Sequence, residues 1–188
     1  MRNIYIAALL LAGLFVINPL NAQRKKALVN EEVSLDALKF RNIGPAFLSG
    51  RIADIAIDPN NENRWYVAVG SGGVWKTNNA GTTWEPLFDQ QDSYSTGCVT
   101  IDPTNNNVIW VGTGENVGGR HVAYGDGVYK SEDGGETWKN MGLKSSEHIS
   151  KIVIHPSDPN TVWVAAQGPL WNKGGERGVF KTSDGGET

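Results

Sequence analysis

Apolar and polar residues alternate along this chain in short bursts, and the bursts return in a fixed order. Residues 52–57 (IADIAI) alternate with the two-residue period of a strand that has one buried face. Asp58-Pro59-Asn60-Asn61 then reads as a turn, because Pro presets φ and Asn tolerates the left-handed region. Residues 65–69, 73–76 and 83–87 supply a second, third and fourth strand. The order begins again at residues 99–101, followed by Asp102-Pro103-Thr104-Asn105 and residues 108–111. It begins a third time at residues 152–154, followed by His155-Pro156-Ser157-Asp158 and residues 162–164.

Each repeat carries the same punctuation between its third and fourth strands. Residues 130–138 read KSEDGGETW, residues 76–84 read KTNNAGTTW, and residues 181–188 read KTSDGGET, with starts 54 and 51 residues apart. A recurrence of this length means stacked supersecondary units. The residue types are those of a tight turn: Asn79, Asp133 and Asp184 can bind amides of their own turn. Gly81, Gly135 and Gly186 supply positive φ without steric cost. Trp84 and Trp138 then carry the chain into the next strand. Four short strands per repeat predict an all-β fold, a β-propeller of four-stranded blades, with about three blades of a larger ring in this chain. The motif resembles the Asp box, or BNR repeat, of propellers in the sialidase, xyloglucanase and sortilin groups.

The expected partition is a signal peptide at 1–22, an N-terminal tail at 23–37 and a partial propeller at 38–188. Within the propeller, residues 38–44 align with the last strand of a repeat and read as a closing outer strand. Blades then cover 51–88, 97–143 and, truncated, 149–188. The leader reading rests on Arg2, the apolar run at 4–17 and Ala22 as a small residue for cleavage. It implies export to the periplasm, cell surface or medium, with no membrane span once the leader is removed. A net charge of −3 gives no nucleic-acid footprint. The single cysteine, Cys98, allows no intramolecular disulfide and reads as a small buried hydrophobe.

Strand alternation sorts the connections onto two faces. The first-to-second and third-to-fourth turns share one face, and the second-to-third loops and inter-blade links share the other. The first set is short and uniform. The second set varies in length, as grafted function requires. Counting back seven residues from Asp58, Asp102 and His155 places Arg51, Ser95 and His148 at matching positions on the long-loop face. Arg51, Arg120, His121, Tyr124, His148, Trp171 and Arg177 are therefore the candidate ligand-binding residues, with Glu147 nearby. Glu115, Asp126 and Glu176 are the candidate catalytic carboxylates. No metal site is expected, since His121 lacks partners at ligand spacing, and no cofactor is implied.

The segments GRIADIAIDPNN, GGVWKT and GTGEN…GDGVYKS resemble the sortilin N-terminal propeller domain, and most closely the exported bacterial proteins labelled BNR-repeat glycosyl hydrolases. The sialidase Arg-Ile-Pro motif is present only as Arg51-Ile52-Ala53. The resemblance implies a binding module for peptide or carbohydrate, with the remaining blades of the same full-length chain as partners. The alternatives are a glycoside hydrolase acting on polysaccharide and blades that only scaffold a site elsewhere.

Overall fold

The computed structural model describes residues 50–188. The leader (1–22), the tail (23–37) and the closing strand (38–44) lie outside the described residues. Three antiparallel sheets follow one another along the chain. The first holds β1 (Ile52–Asp58), β2 (Asn61–Val69), β3 (Gly73–Thr77) and β4 (Glu85–Pro86), in that order. The second holds β5 (Thr96–Ile101), β6 (Ile109–Thr113), β7 (Val128–Ser131) and β8 (Lys139–Gly142). After a 3₁₀ turn at Lys144–Ser146 the third holds β9 (Ile149–His155), β10 (Asp158–Ala166) and β11 (Gly178–Thr182). The fourth strand expected at 83–87 contracts to Glu85–Pro86. The Thr83 amide is spent on the preceding turn, and Pro86 has no N–H to give. The ladder resumes where Leu87 donates to Val74 O at 2.9 Å.

The sheets stack face to face, and strand alternation divides the core between two interfaces. Tyr66, Ala68, Val74 and Phe88 of the first blade pack against Val99, Ile101, Ile109, Val111 and Tyr129 of the second. The opposite face of the second blade, with Cys98, Trp110 and Val128, packs against Ile152, Ile154, Val162 and Val164 of the third. Each valine, isoleucine and phenylalanine among them contributes about 1.5–3 kcal/mol relative to exposure in water. Phe88 receives two edge-to-face rings across the first interface, Tyr129 at 5.1 Å and Trp138 at 5.2 Å. The Trp138 indole N–H also donates to Leu87 O at 2.9 Å, which ties the second blade's motif to the first blade. Burial pushes the Cys98 thiol up to about 12, so it is an inert core residue.

A bulge between Ile52 and Asp54 interrupts the alternation of β1, and the isoleucines do not form its packed face. Ala53 and Ala56 lie against the core, while Ile52, Ile55 and Ile57 are half exposed. Ile52 and Ile55 line a groove of about 280 Å³ with Trp65, Val67, Val69, Trp75 and Trp84.

The motif turns are closed by their own side chains. Ser131 Oγ donates to Asp133 Oδ1 at 2.7 Å and accepts from the Gly135 amide at 2.8 Å. Asp133 Oδ1 then accepts the Thr137 amide at 2.9 Å. The other copies repeat this: Gly81 N–H reaches Thr77 Oγ1 at 2.9 Å, and Gly186 N–H reaches Thr182 Oγ1 at 3.1 Å. Hydrogen bonds from the Thr137 hydroxyl and amide hold Asp133 down at about 2, against slight burial. Bonds from Thr182 and Thr188 likewise hold Asp184 well below the usual carboxylate range. Each motif turn donates an amide to the neighbouring hairpin: Ala80 to Asn63 O, Gly134 to Asn107 O and Gly185 to Asn160 O, at 2.8–2.9 Å. Both turn classes therefore share one face. There, the buried Asp58 binds Arg64 of its own blade and Asn106 of the next. Burial alone would raise its pKa, but the Asn60 amide, Arg64 and Asn106 outweigh it and hold the carboxyl below its ordinary value.

Candidate functional site

On the opposite face every blade closes with one repeated backbone bond. Gly70 donates to Arg51 O at 2.7 Å, Gly114 to Ser95 O at 2.8 Å and Gln167 to His148 O at 2.8 Å. The three residues found by counting thus occupy equivalent positions beside the innermost strands. Their side chains reach back to the preceding blade in the two cases where one is described. Ser95 Oγ donates to Gly70 O at 3.1 Å, and His148 Nδ1 lies 2.8 Å from Glu115 O. A carbonyl can only accept, so Nδ1 carries a proton. His148 is fully buried, and its Nε2 has no hydrogen-bond partner.

Glu115 is the centre of this face. It is 2% exposed and ion-paired with Arg51 of the preceding blade. Its other oxygen accepts from Ser71 Oγ at 3.1 Å and the Ala123 amide at 3.4 Å. The Gly70 loop makes room for it, since a Cβ there would lie 3.1 Å from the carboxyl carbon. A desolvated carboxylate with one cation and two further donors is a structural hub, joining β1, the Gly70 loop and the long loop after β6. Arg51 remains 43% exposed on its side chain, so its guanidinium still offers donors to solvent.

The other two carboxylates are also engaged. Asp126 accepts from Tyr129 OH at 2.5 Å and Thr113 Oγ1 at 3.3 Å. Burial, then the bond to Asp126, pushes the Tyr129 phenol up to about 12. Glu176 accepts the Ser145 amide and hydroxyl, each at 2.9 Å, and so ties the loop after β10 to the 3₁₀ turn. Arg177 turns inward onto Pro169 O at 2.5 Å. Arg120 and His121 are exposed at the crest of the loop between β6 and β7. Glu147 has φ 61°, and its carbonyl accepts the Gly125 amide at 2.7 Å, fixing the base of that loop. The structure therefore joins Arg51, Glu115, His148 and Tyr124 in one neighbourhood, the Tyr124 ring meeting His148 edge-on at 5.7 Å. Trp171, Glu176 and Arg177 sit apart on the third blade's own loop.

The exposed aromatic side chains are the contribution that chemistry-led counting undervalues. Tyr94, Tyr124 and Trp171 are 63%, 58% and 61% exposed, and all lie in long-loop-face segments. Tyr94 was not among the sequence candidates. Its signal was topological, since it lies in the link from blade one to blade two, beside Ser93, whose Oγ reaches Tyr124 O at 3.4 Å. Among the described residues no His, Cys, Asp and Glu cluster could hold a metal ion, and no helix is long and apolar enough to cross a membrane.

No protein-family model and no curated protein matches the chain. Solved structures do. The GH74 enzyme of Niastella koreensis is similar at 27% identity and a TM-score of 0.51, over 68% of this chain and 19% of that one. The three sheets are blades of a β-propeller. The GH74 xyloglucanase of Xanthomonas campestris matches at 18% identity and TM-score 0.51, over 68% of this chain and 20% of that one. YCF48 bound to D1 peptide matches at 15% identity and TM-score 0.50, over 74% of this chain and 39% of that one. The chain thus spans about a fifth of the length of these propeller enzymes.

Proposed function

We propose that this chain belongs to an exported propeller binding module of the sortilin and BNR-repeat type, whose long-loop face takes a peptide or glycan. One observation carries the reading: exposed Tyr94, Tyr124 and Trp171 share a face with the partly exposed Arg51 guanidinium, while every candidate carboxylate already has partners. Flat rings suit apolar sugar faces and peptide side chains, and the guanidinium suits carboxylate or hydroxyl groups. Export rests on the leader at 1–22, and the remaining blades of the full-length chain would supply the rest of the rim. Titration calorimetry against soluble polysaccharides and peptides tests the binding reading. Tyr124→Ala and Trp171→Ala should each weaken the ligand found roughly tenfold, about 1.4 kcal/mol. Binding indifferent to both changes, or absent across the panel, would refute it.

A glycoside hydrolase is the second reading, favoured by the 27% identity to a GH74 enzyme. Glu115 and Asp126 are poor acid or base candidates within this chain because both oxygens of each are already engaged, and Glu176 is tied to the 3₁₀ turn through one oxygen. Hydrolysis by the full-length protein that survives Glu115→Gln and Asp126→Asn would place the reaction on other blades and leave these as scaffold.

A further inference from the structure

The link between the second and third blades is held in a shape its own backbone resists. Leu143 and Glu147 flank the 3₁₀ turn at Lys144–Ser146 with φ 56° and 61°, the left-handed side that a residue with a Cβ disfavours. The buried Ser146 Oγ and His148 Nε2 find no hydrogen-bond partner among the described residues. The turn supplies one backbone bond of its own, Ser146 N–H to Leu143 O at 3.1 Å. The corresponding link between the first two blades, residues 89–95, keeps negative φ throughout, and the hydroxyls of Ser93 and Ser95 both find partners. A conformation of the first kind persists only where surrounding contacts over-determine it.

Those contacts come from the two long loops. From the β6–β7 side the Gly125 amide donates to Glu147 O at 2.7 Å, and a Cβ at Gly114 would overlap that same oxygen. From the β10–β11 side Glu176 Oε2 accepts the amide and the hydroxyl of Ser145, each at 2.9 Å, and a Cβ at Gly175 would lie 2.6 Å from Ser145 O. Glycine at 114 and 175 is what lets both loops close on the link. Gly125 directly follows Tyr124, and the loop that carries Trp171 is closed at its neck by Arg177 on Pro169 O. Tyr94 joins the same chain of bonds, since Ser93 Oγ lies 3.4 Å from Tyr124 O and Ser95 Oγ 2.9 Å from Ala123 O. We propose that the 143–148 link is a spacer that sets Trp171 against Tyr124 and Tyr94 at one fixed separation, with Glu176 as the positioning residue on the third blade. Rings held at a fixed spacing select a ligand by the interval between its stacking groups, without an ordering cost at binding. That consequence rests on the binding reading above, whereas the spacing itself does not.

Nitroxides attached at Val117→Cys and Lys173→Cys, exposed positions on the two loops, measure the separation by double electron–electron resonance in the full chain. The native Cys98 is the sole cysteine and fully buried, so it stays unlabelled. One narrow distance distribution is expected. Glu176→Ala should widen it at least twofold, and Glu176→Gln should keep it narrow, since the amide oxygen accepts the same two hydrogens. A tie that only added stability would leave the spacing of the folded chain unchanged. Labelling at Cys98 exposes a variant that fails to fold. Ser145→Ala, which removes only the hydroxyl half of the tie, then gives the same readout with a smaller widening. Equal widths with Glu176 and with Glu176→Ala would overturn the proposal, and so would a Glu176→Gln chain as broad as Glu176→Ala. Widening by Glu176→Ala in a chain that binds none of the polysaccharides or peptides would uphold the spacer and refute the binding reading alone.

Discussion

The two faces of this propeller arc solve the same problem, closing strand connections, by opposite means. On the motif face three turns repeat one set of bonds almost atom for atom, from Ser131 or its threonine equivalents to Asp133 or its equivalents and on to the glycine amide. On the loop face only the backbone bonds of Gly70, Gly114 and Gln167 repeat, and the side chains above them differ in every blade. Repetition falls where a turn must satisfy its own amides and pack under a neighbouring blade. Variation falls where solvent and the adjacent loops are the only neighbours.

The contrast breaks most visibly at glycine. Gly135 has φ 97°, and a Cβ there would lie 2.4 Å from Leu87 Cδ1. Gly135→Ala should therefore cost about 3 kcal/mol in denaturant unfolding, from the left-handed strain plus the clash. Gly118 on the loop face has no heavy atom within 4 Å of such a Cβ, and Gly118→Ala should stay within about 0.5 kcal/mol. Equal costs would erase the distinction between the faces.

Arg51 is the exception that sharpens it, since it gives the loop face one rigid point. Arg51→Ala leaves Glu115 buried without its cation and should cost about 2–3 kcal/mol. Adding Glu115→Gln should recover most of that, because the neutral amide keeps the shape without the charge. A smaller effect is expected at the exposed Asp133, where Asp133→Asn should cost on the order of 1 kcal/mol near neutral pH. Its folded pKa, about 2, lies below the ordinary 3.8, so its stabilisation is present above about pH 4 and is lost as pH falls through about 2. Thermal melts of wild type and Asp133→Asn should converge over that window. The smallest effect belongs to Trp171→Ala, within about 0.5 kcal/mol in stability because the ring is exposed, whatever it does to ligand affinity.

Much of this architecture was legible in the sequence because short-range chemistry determines it. The Asp-Pro turns, the glycines at positive φ and the seven-residue count to Arg51, Ser95 and His148 all depend on local spacing, which strand geometry preserves. The loop-face interior was not legible. Glu115 read as a candidate catalytic carboxylate, and only tertiary packing against Gly70 and Arg51 makes it a buried hub. Asp126 carried the same reading, yet Tyr129, three residues on, takes one of its oxygens. Residues 52–57 announced a strand, but alternation alone cannot say which blade, if any, covers each side. That is why the alanines and not the isoleucines proved to be the packed set.

Asp54 ties three blades together. Its Oδ2 accepts the Val99 amide at 3.3 Å and Lys151 Nζ at 3.0 Å, so one carboxylate of the first blade reaches the innermost strands of the next two. The exposed lysine bond adds little to equilibrium stability. In kinetic terms it stands out. Most contacts here join strands within a blade or between adjacent blades, and such chains nucleate in one repeat and propagate to the next. The Asp54–Lys151 pair spans 97 residues and can form only when all three blades have docked. A probe at that pair therefore times the end of assembly, after the motif turns and blade cores have formed.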